Sequence, residues 1–306
     1  MDLVPNQWYA VLDPREVPSD RPIQRRRLGE DLVFWRDTQG RIRAALDRCP
    51  HRGAAMSLGV VKDGCLECPF HGFVFDADGR CTHMPAHPGR SISPAMALRT
   101  WPVREAHDLV WLWNGDAPPA EDIPFFEFDG FSWAGSQRMV TWNVHYTRSI
   151  ENQLDWAHLP FVHRTTIGRF VAPEVEVTSR WEGPHLFSGT AQSVDAIHFI
   201  TPNVWTLQLS DRLKLFLAFV PIDDGSMLYI SRAYQAMYGW PIDQLFGAVQ
   251  ALFNPIVLAQ DHRVVDSQPK GPAELRTLGL PVPSDDSILA YLRWRESSKK
   301  GAIAAK

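Results

Sequence analysis

Two short loops in the first third of the chain carry the pattern that most constrains what it can fold into. They read CPHRG at 49–53 and CPFHG at 68–72, and each supplies one cysteine, one histidine and a glycine that permits a tight turn. The ligand spacing is C-x-H, sixteen residues, C-x2-H. The candidate ligands of one metal centre are Cys49, His51, Cys68 and His71.

The order of these ligands separates two kinds of metal centre. Two cysteines and two histidines could hold structural zinc, but zinc-finger spacing usually keeps like ligands together. Each loop here supplies a mixed pair, which suits a [2Fe–2S] cluster with two thiolates on one iron and two imidazoles on the other. The loops resemble those of the Rieske domain family, and structural zinc in a binding module is the alternative.

Composition limits the partners and the compartment of the protein. At 306 residues the chain is long enough for about two domains. Its formal net charge of -4 argues against a nucleic-acid-binding face, which needs a basic surplus. No apolar run approaches the ~20 residues that span a bilayer, and the N-terminus MDLVPNQWYAV lacks the features of a signal peptide. We therefore expect a cytoplasmic protein that binds neither nucleic acid nor membrane.

The hydrophobic periodicity changes along the chain and predicts two domains. Short alternating runs such as DLVFWRD and RIRAALD predict a small antiparallel β domain, followed by a linker rich in proline and acidic residues at 117–124. Strands are then expected over about 172–236, and helices over about 241–267 and through DDSILAYLRWRES. The predicted fold class is α+β, with an all-β domain over 1–118 and an α+β domain built on one curved antiparallel sheet over 119–306.

The stretch ENQLDWAHLPFVH at 151–163 contains two histidines and a carboxylate at close spacing. On a predicted helix Asp155 and His158 are i, i+3 and share one face. Pro160 ends or bends that helix, which lets His163 return towards the same point. A lone histidine would more often be a core or surface residue, but a histidine pair behind a Rieske-like domain favours a second metal site.

A third ligand for this second site can come from elsewhere in the chain. Two histidines and one carboxylate on one face of an iron leave positions open for dioxygen, as in the facial triad of non-haem Fe(II) oxygenases. The segment AQDHRVVDSQP offers Asp261 and Asp266 in addition to Asp155. Spacing alone does not choose between Asp261 and Asp266.

Both stretches resemble the mononuclear-iron motifs of Rieske oxygenase α subunits. ENQLDWAHLPFVHR matches N-x2-D-x2-H-x4-H, and QDHRVVDSQP is similar to a later E-D-x4-E-x-Q segment. The resemblance implies that Asp261 is the third iron ligand, with Gln260 and Asp266 standing where the family commonly has glutamates. It covers nearly the whole chain and implies a helix-grip catalytic domain behind the Rieske domain.

The resemblance also implies an assembly and two supporting residues. The family forms homotrimers in which the cluster of one subunit faces the mononuclear iron of the next. By position, Asp155 would link His71 of one subunit to His158 of its neighbour; the alternative is a carboxylate on a helix surface. Asn152 aligns with an asparagine near the iron, and a role in catalysis and simple helix packing are both open.

An electron carrier and an oxygen-binding iron on one chain imply that the protein uses O2. The chain contains no G-x-G-x-x-G fingerprint, so electrons would come from a separate NAD(P)H-dependent reductase, directly or through a ferredoxin. The compact demethylase and monooxygenase branch of the family implies monohydroxylation or oxidative O- or N-demethylation of a small aromatic or other apolar substrate. The alternatives are cis-dihydroxylation and, in a different class, an electron-transfer protein without mononuclear iron.

The substrate pocket is expected beside the iron, under the large sheet. Strand alternation places Trp205 and Leu207 of VWTLQLS on one face. KLFLAFVP offers either Phe216 with Ala218 or Leu215, Leu217 and Phe219. We expect Phe216 and Ala218 in the pocket, because a small alanine leaves room for a ligand, while plain core packing is the alternative for either set.

Overall fold

The computed structural model describes residues 1–236 and 242–304. Contacts divide the chain into an N-terminal unit, Asn6–Glu121, and a C-terminal unit, Met1–Pro5 with Asp122–Lys306. The first five residues thus group with the C-terminal unit, although the sequence placed them in the first domain. The domain boundary after residue 118 stays a prediction. The predicted fold class, an all-β part followed by an α+β part with one large antiparallel sheet, is confirmed.

Short antiparallel strands build the N-terminal unit, as the alternation of apolar and polar residues predicts. The strands are β1 (Gln7–Leu12), β2 (Ile23–Arg27), β3 (Glu30–Arg36), β4 (Ile42–Leu46), β5 (Val60–Lys62), β6 (Cys65–Glu67), β7 (Val74–Phe75), β8 (Cys81–His83), β9 (Thr100–Trp101), β10 (Val103–Ala106) and β11 (Leu109–Asn114). They form three sheets with the orders β1-β11-β10, β2-β3-β4-β9 and β5-β6-β7-β8. One hydrophobic cluster holds Trp35, Leu66 and Phe75 together with Cys49 and Cys68, so both candidate thiols lie in the core.

One seven-stranded antiparallel sheet organises the C-terminal unit. Its strands are β12 (Phe131–Trp142), β13 (Thr178–Glu182), β14 (His185–Thr190), β15 (Ser193–Ile200), β16 (Val204–Ser210), β17 (Leu213–Pro221) and β18 (Met227–Ala236). The order is β12-β18-β17-β16-β15-β14-β13. The sequence did not predict β12, whose alternation is interrupted by the small residues AGS at 134–136, where the pairing with β18 shifts register.

Four α-helices accompany the sheet in the described part of the chain: α1 (Tyr146–Leu154), α2 (Leu159–Val162), α3 (Ile242–Val265) and α4 (Asp286–Ala304). Single 3-10 turns lie at Pro14–Glu16, Met56–Leu58, Ile167–Phe170, Leu275–Thr277 and Pro283–Asp285. The helices α3 and α4 occupy the two segments predicted to be helical, and α3 continues through Pro255. Among the described residues, no helix is long and apolar enough to cross a membrane.

The two faces of the seven-stranded sheet have different neighbours. Trp205 and Leu207 on β16 pair with Leu217 and Leu215 on β17, and these four side chains line a cavity beneath α1, α2 and α3. The opposite face is covered by aromatic residues of the segment before β12: Phe125 packs on Phe216, with 5.7 Å between ring centroids.

The expectation that Phe216 and Ala218 line the pocket is therefore wrong. Both side chains are fully buried on the face opposite the cavity. The physical reason is the register: Trp205 lies directly across from Leu217, and cross-strand partners point to the same face of a sheet. The alternative pair from the same strand, Leu215 and Leu217, takes that place.

A histidine in this aromatic layer makes stability depend on pH. His198 stacks on Phe187 and meets Phe126 edge-on, and burial lowers the pKa of His198 to about 4. The unfolded chain binds this proton near pH 6.5, so the free energy of unfolding falls as pH drops from about 6.5 towards 4. His198→Phe is expected to make that fall shallower, as measured by denaturant unfolding at several pH values.

The exposed His83 provides the control for this pH experiment. The His83→Phe variant should lose stability with falling pH as steeply as the wild type does. An unchanged slope in His198→Phe would contradict the assignment of the proton to His198.

Candidate metal centres and substrate cavity

Three side chains of the C-terminal unit converge on one point beside the cavity. His163 Nε2 lies 2.9 Å and His158 Nε2 lies 3.4 Å from Asp261 Oδ1. One ligand atom from each residue can be chosen so that all three lie within 4.8 Å of one another. Two imidazole nitrogens and one carboxylate oxygen are the donor set of the 2-His-1-carboxylate iron site.

A break between two helices brings the histidines together. The helix α1 ends at Leu154, Asp155 follows in an extended conformation as its C-cap, and α2 begins only at Leu159. The predicted shared helix face of Asp155 and His158 is therefore wrong, because both residues lie in the break. Pro160 occupies the first turn of α2, where its missing N–H costs no hydrogen bond, so it helps to start a helix instead of ending one.

The electrostatics of these three residues fit a bound cation. Burial alone would raise the pKa of Asp261, but the contacts with His158 and His163 outweigh burial and hold that pKa well below its usual range. His158 Nε2 and Asp261 Oδ1 are buried and have no hydrogen-bond partner among the described residues. Buried polar atoms without partners are uncommon in folded proteins, and a metal ion at this point would satisfy both.

Each of the three residues also makes a hydrogen bond through an atom that does not face the proposed metal position. His158 Nδ1 donates to the backbone oxygen of Asp155 at 2.6 Å, and His163 Nδ1 donates to Gln260 Oε1 at 2.9 Å. Gln153 Nε2 donates to Asp261 Oδ2 at 3.0 Å. With both Nδ1 atoms engaged as donors, each Nε2 is left free to face a metal.

The hydrogen bond from Gln153 was not predicted from the sequence, and Gln260 was noted only as a departure from the family motif. Gln153 has no sequence signal that distinguishes it from other polar helix residues, so its contact with Asp261 on α3 is visible only in the fold.

Removing the side-chain oxygen of Gln260, which accepts the hydrogen bond from His163 Nδ1, should weaken iron binding. In Gln260→Leu the Nδ1 of His163 loses its partner, and we expect iron affinity at the mononuclear site to fall about 10-fold to 100-fold. Gln260→Glu keeps an acceptor oxygen and should retain the iron, while Gln250→Leu on the same helix is the control. Competition with an iron chelator measures the affinity. Equal chelator sensitivity in Gln260→Leu and Gln250→Leu would contradict the role of Gln260.

Three further residues that the sequence singled out, Asp155, Asn152 and Asp266, lie outside the triad of candidate ligands. Asp155 lines the cavity, its Oδ1 accepts the Ala157 N–H at 2.8 Å, and burial raises the pKa of its carboxyl. Asn152 lies on α1 outside the described cavity lining, with its Nδ2 buried and unpaired among the described residues. Asp266 is exposed and pairs with Lys270 at 2.6 Å, so of the two downstream carboxylates only Asp261 reaches the histidines.

The two loops of the N-terminal unit repeat one backbone turn. Gly53 N–H donates to the Cys49 oxygen and Gly72 N–H donates to the Cys68 oxygen, and both glycines have a positive φ. That conformation is one that a residue with a Cβ rarely adopts. The glycine of each motif is therefore explained by the turn that presents the ligands.

The donor groups on these loops fit a Rieske cluster. Cys49 and Cys68 are buried next to each other, and burial, with a further contribution from Cys68, raises the pKa of the Cys49 thiol to about 11. The imidazoles of His51 and His71 lie nearer the surface, with their ring centroids 4.7 Å apart. Two adjacent thiols that iron would hold as thiolates, beside two imidazoles, are the donor set of a [2Fe–2S] Rieske cluster.

The cavity beside the mononuclear site is mostly apolar. Ile197, Trp205, Leu207, Leu215 and Leu217 line it from the sheet, and helices α2 and α3 contribute Leu159, Val257 and Leu258. Ser231 and Asn254 add polar groups to the lining. An apolar enclosure with a few polar groups next to a metal is the usual form of a small-molecule site. Trp205 and Leu207 were predicted to lie here, whereas Ser231 and Asn254 were not.

Comparison with known families accounts for both metal centres. Residues 7–102 match the model of the Rieske [2Fe-2S] domain, and residues 142–193 match that of the vanillate O-demethylase oxygenase C-terminal domain. The first match contains all four ligands of the N-terminal loops, and the second contains His158 and His163. The structural-zinc alternative is thereby excluded for the N-terminal unit.

Individual relatives give the same result. The vanillate O-demethylase oxygenase subunit of Pseudomonas sp. (strain HR199 / DSM 7063) is 32% identical over 207 residues, which are 67% of this chain and 56% of that protein. An iron-sulfur subunit of the toluene-4-sulfonate monooxygenase system of Comamonas testosteroni is 34% identical over 166 residues, 53% of this chain and 47% of that protein. The chain thus spans about half the length of the curated relatives it matches.

A solved structure shares the fold over almost the full length. The crystal structure of dicamba monooxygenase bound to dicamba superposes with a TM-score of 0.77 at 21% identity, covering 99% of this chain and 100% of that one. Its two-part architecture is that of the units described above. The superposition shows the shared fold, and the family models with the sequence relatives identify the chain as a Rieske [2Fe-2S] domain followed by an oxygenase C-terminal domain of the vanillate O-demethylase type.

Proposed function

We propose that this chain is the terminal oxygenase component of a Rieske oxygenase system. It would use O2 and electrons from a separate reductase to monohydroxylate, or oxidatively O- or N-demethylate, a small and largely apolar substrate. The observation that carries the proposal is the convergence of His158, His163 and Asp261 at the wall of an apolar cavity. When bound, the mononuclear iron supplies the site for dioxygen, and the [2Fe–2S] cluster supplies electrons one at a time.

The residues of this chain position the substrate and keep bulk water away from the metal ligands. The leucines of β16 and β17 hold an apolar body against the sheet, which leaves the methyl or ring carbon that reacts on the side of the histidines. The hydrogen bonds from Gln153 and to Gln260 keep the ligands in place during this step. For an O- or N-methyl substrate, hydroxylation gives a hemiacetal or hemiaminal that releases formaldehyde.

Electrons would reach the mononuclear site from a neighbouring subunit. The proposed assembly is a homotrimer in which the carboxylate of Asp155 links the next subunit's His71 to His158. The proposal is supported by the place of Asp155 in the cavity wall, 3.8 Å from His158 Nδ1. Names such as "oxygenase subunit" and "iron-sulfur subunit" among the relatives support a separate reductase.

The experiment is a screen for substrate-stimulated oxygen uptake with a surrogate reductase and NADH. Methoxylated and N-methylated aromatic compounds form the panel, and formaldehyde is measured alongside oxygen. Oxygen uptake with matching formaldehyde supports demethylation, and a hydroxylated product without formaldehyde supports monohydroxylation. A cis-diol would contradict this reaction assignment in favour of dihydroxylation. Cluster reduction without oxygen uptake for any compound would favour the electron-transfer alternative.

A further inference from the structure

Trp205 carries a buried hydrogen-bond donor without a partner. Its side chain lines the cavity and is 3% exposed, and its Nε1 has no acceptor among the described residues. An unpaired buried N–H is costly, and such groups are usually satisfied by water or a ligand. Ser231 and Asn254 line the same cavity and are hydrogen-bonded to each other at 3.2 Å, whereas the buried Trp205 Nε1 has no acceptor among the described residues.

The described cavity lining also contains no cationic side chain. Its ionisable residues are the three metal ligands and Asp155. Arg232 follows Ser231 on β18 but lies on the opposite face of the sheet, over the rings of Trp133 and Phe216.

The charge balance disfavours an anionic substrate in this cavity. The carboxylate of Asp261 would neutralise one of the two charges of a ferrous ion, and the carboxyl group of Asp155 lies 3.8 Å from His158 Nδ1, so the lining offers an anion no cationic side chain. Burying an unpaired carboxylate or sulfonate in an apolar enclosure is strongly unfavourable. A neutral hydrogen-bond acceptor, in contrast, gains a partner at Trp205.

We propose that the substrate is a neutral molecule with an apolar body and one hydrogen-bond acceptor, such as a carbonyl oxygen, to which Trp205 Nε1 donates. Trp205 is then the residue that sets specificity and orients the substrate. This inference rests on the proposed function, because it takes the cavity to be the substrate site. It distinguishes the chain from relatives whose names denote anions, vanillate and toluene-4-sulfonate.

The test compares the binding of three matched probes to the iron-loaded protein by calorimetry. Para-methoxyacetophenone is neutral and has a carbonyl, para-isopropenylanisole replaces the carbonyl oxygen by a methylene of the same shape, and para-methoxybenzoate is an anion. The ketone should bind about twofold to tenfold more tightly than the alkene, as the net contribution of one neutral hydrogen bond implies. The benzoate should bind more weakly than the ketone.

The Trp205→Phe variant removes the N–H and keeps an aromatic ring. Its ratio of ketone to alkene affinity should fall to about one, while Trp294→Phe, outside the described cavity lining, should keep the wild-type ratio. If Trp205→Phe does not fold, the ratio of ketone to alkene affinity in the wild-type protein still tests the proposal. A ratio of one in the wild type means that Trp205 donates only to an ordered water, and this overturns the proposal.

Three other results overturn it as well. These are a benzoate that binds as tightly as the ketone, a ratio unchanged in Trp205→Phe, and no binding of either neutral probe. Selective binding of the ketone without oxygen uptake or formaldehyde would instead contradict the proposed function and leave the inference about the cavity intact.

Discussion

Replacing Asp261 by alanine is expected to remove the mononuclear iron and leave the N-terminal cluster in place. The carboxylate lies within 3.4 Å of both histidine Nε2 atoms and is the only acid in the described triad. Two histidines without it cannot complete the facial donor set. Iron should fall from three to two per chain, and product formation should fall at least about 100-fold, since even groups that only support a ligand cost up to that factor.

Asp266→Ala is the matched control for this loss. Asp266 lies five residues further along, on the exposed side, where it pairs with Lys270. The Asp266→Ala variant should keep three irons per chain and normal turnover, because the carboxylate of Asp266 does not reach the histidines. Retention of the third iron in Asp261→Ala, or its loss in Asp266→Ala, would contradict the ligand assignment. Iron analysis together with the visible spectrum of the cluster provides the measurement.

Asp155→Asn is expected to keep both metal centres and lose most product formation. The asparagine oxygen can still accept the Ala157 N–H, so the break between α1 and α2 keeps its shape. The side chain loses its negative charge next to His158, and with it the proposed hydrogen-bonded link to the neighbouring subunit's His71. We expect a decrease of about 100-fold, the upper end for groups that support metal ligands.

A single turnover separates this role from a structural one. The cluster is reduced, mixed with oxygen and substrate, and followed by its visible absorption as it loses its electron. In Asp155→Asn that reoxidation should be slow although iron content is unchanged. Asp285→Asn removes a nearby charge outside the described cavity lining and should behave as the wild type. Full turnover in Asp155→Asn with normal coupling to oxygen consumption would contradict the link.

The sequence suggests candidate metal ligands most clearly where the donor residues lie close together in the chain. The loops at 49–53 and 68–72 each hold their donors within four residues, and the glycine that ends each loop is needed by the same turn. The pair His158 and His163 was proposed as candidate ligands for the same reason. Asp261 lies about a hundred residues away, and only the family motif distinguished it from Asp266.

The features that the sequence could not supply depend on tertiary structure. Alternation divides β17 into two faces but does not say which face meets the cavity, and the register of Leu217 with Trp205 decides that. The break at Asp155 has no strong signal, because the only helix breaker in the stretch, Pro160, belongs to the start of α2. The contact between Gln153 and Asp261 requires α1 and α3 to be neighbours, which no local pattern encodes.

Counting iron and acid-labile sulfide per chain shows whether one chain holds two different iron centres. A Rieske cluster with a mononuclear iron predicts three irons and two sulfides. Chelation should then remove one iron and leave the visible spectrum of the cluster unchanged. Two irons and two sulfides in the freshly reconstituted protein, with no third iron bound on addition of ferrous ion, would contradict the account.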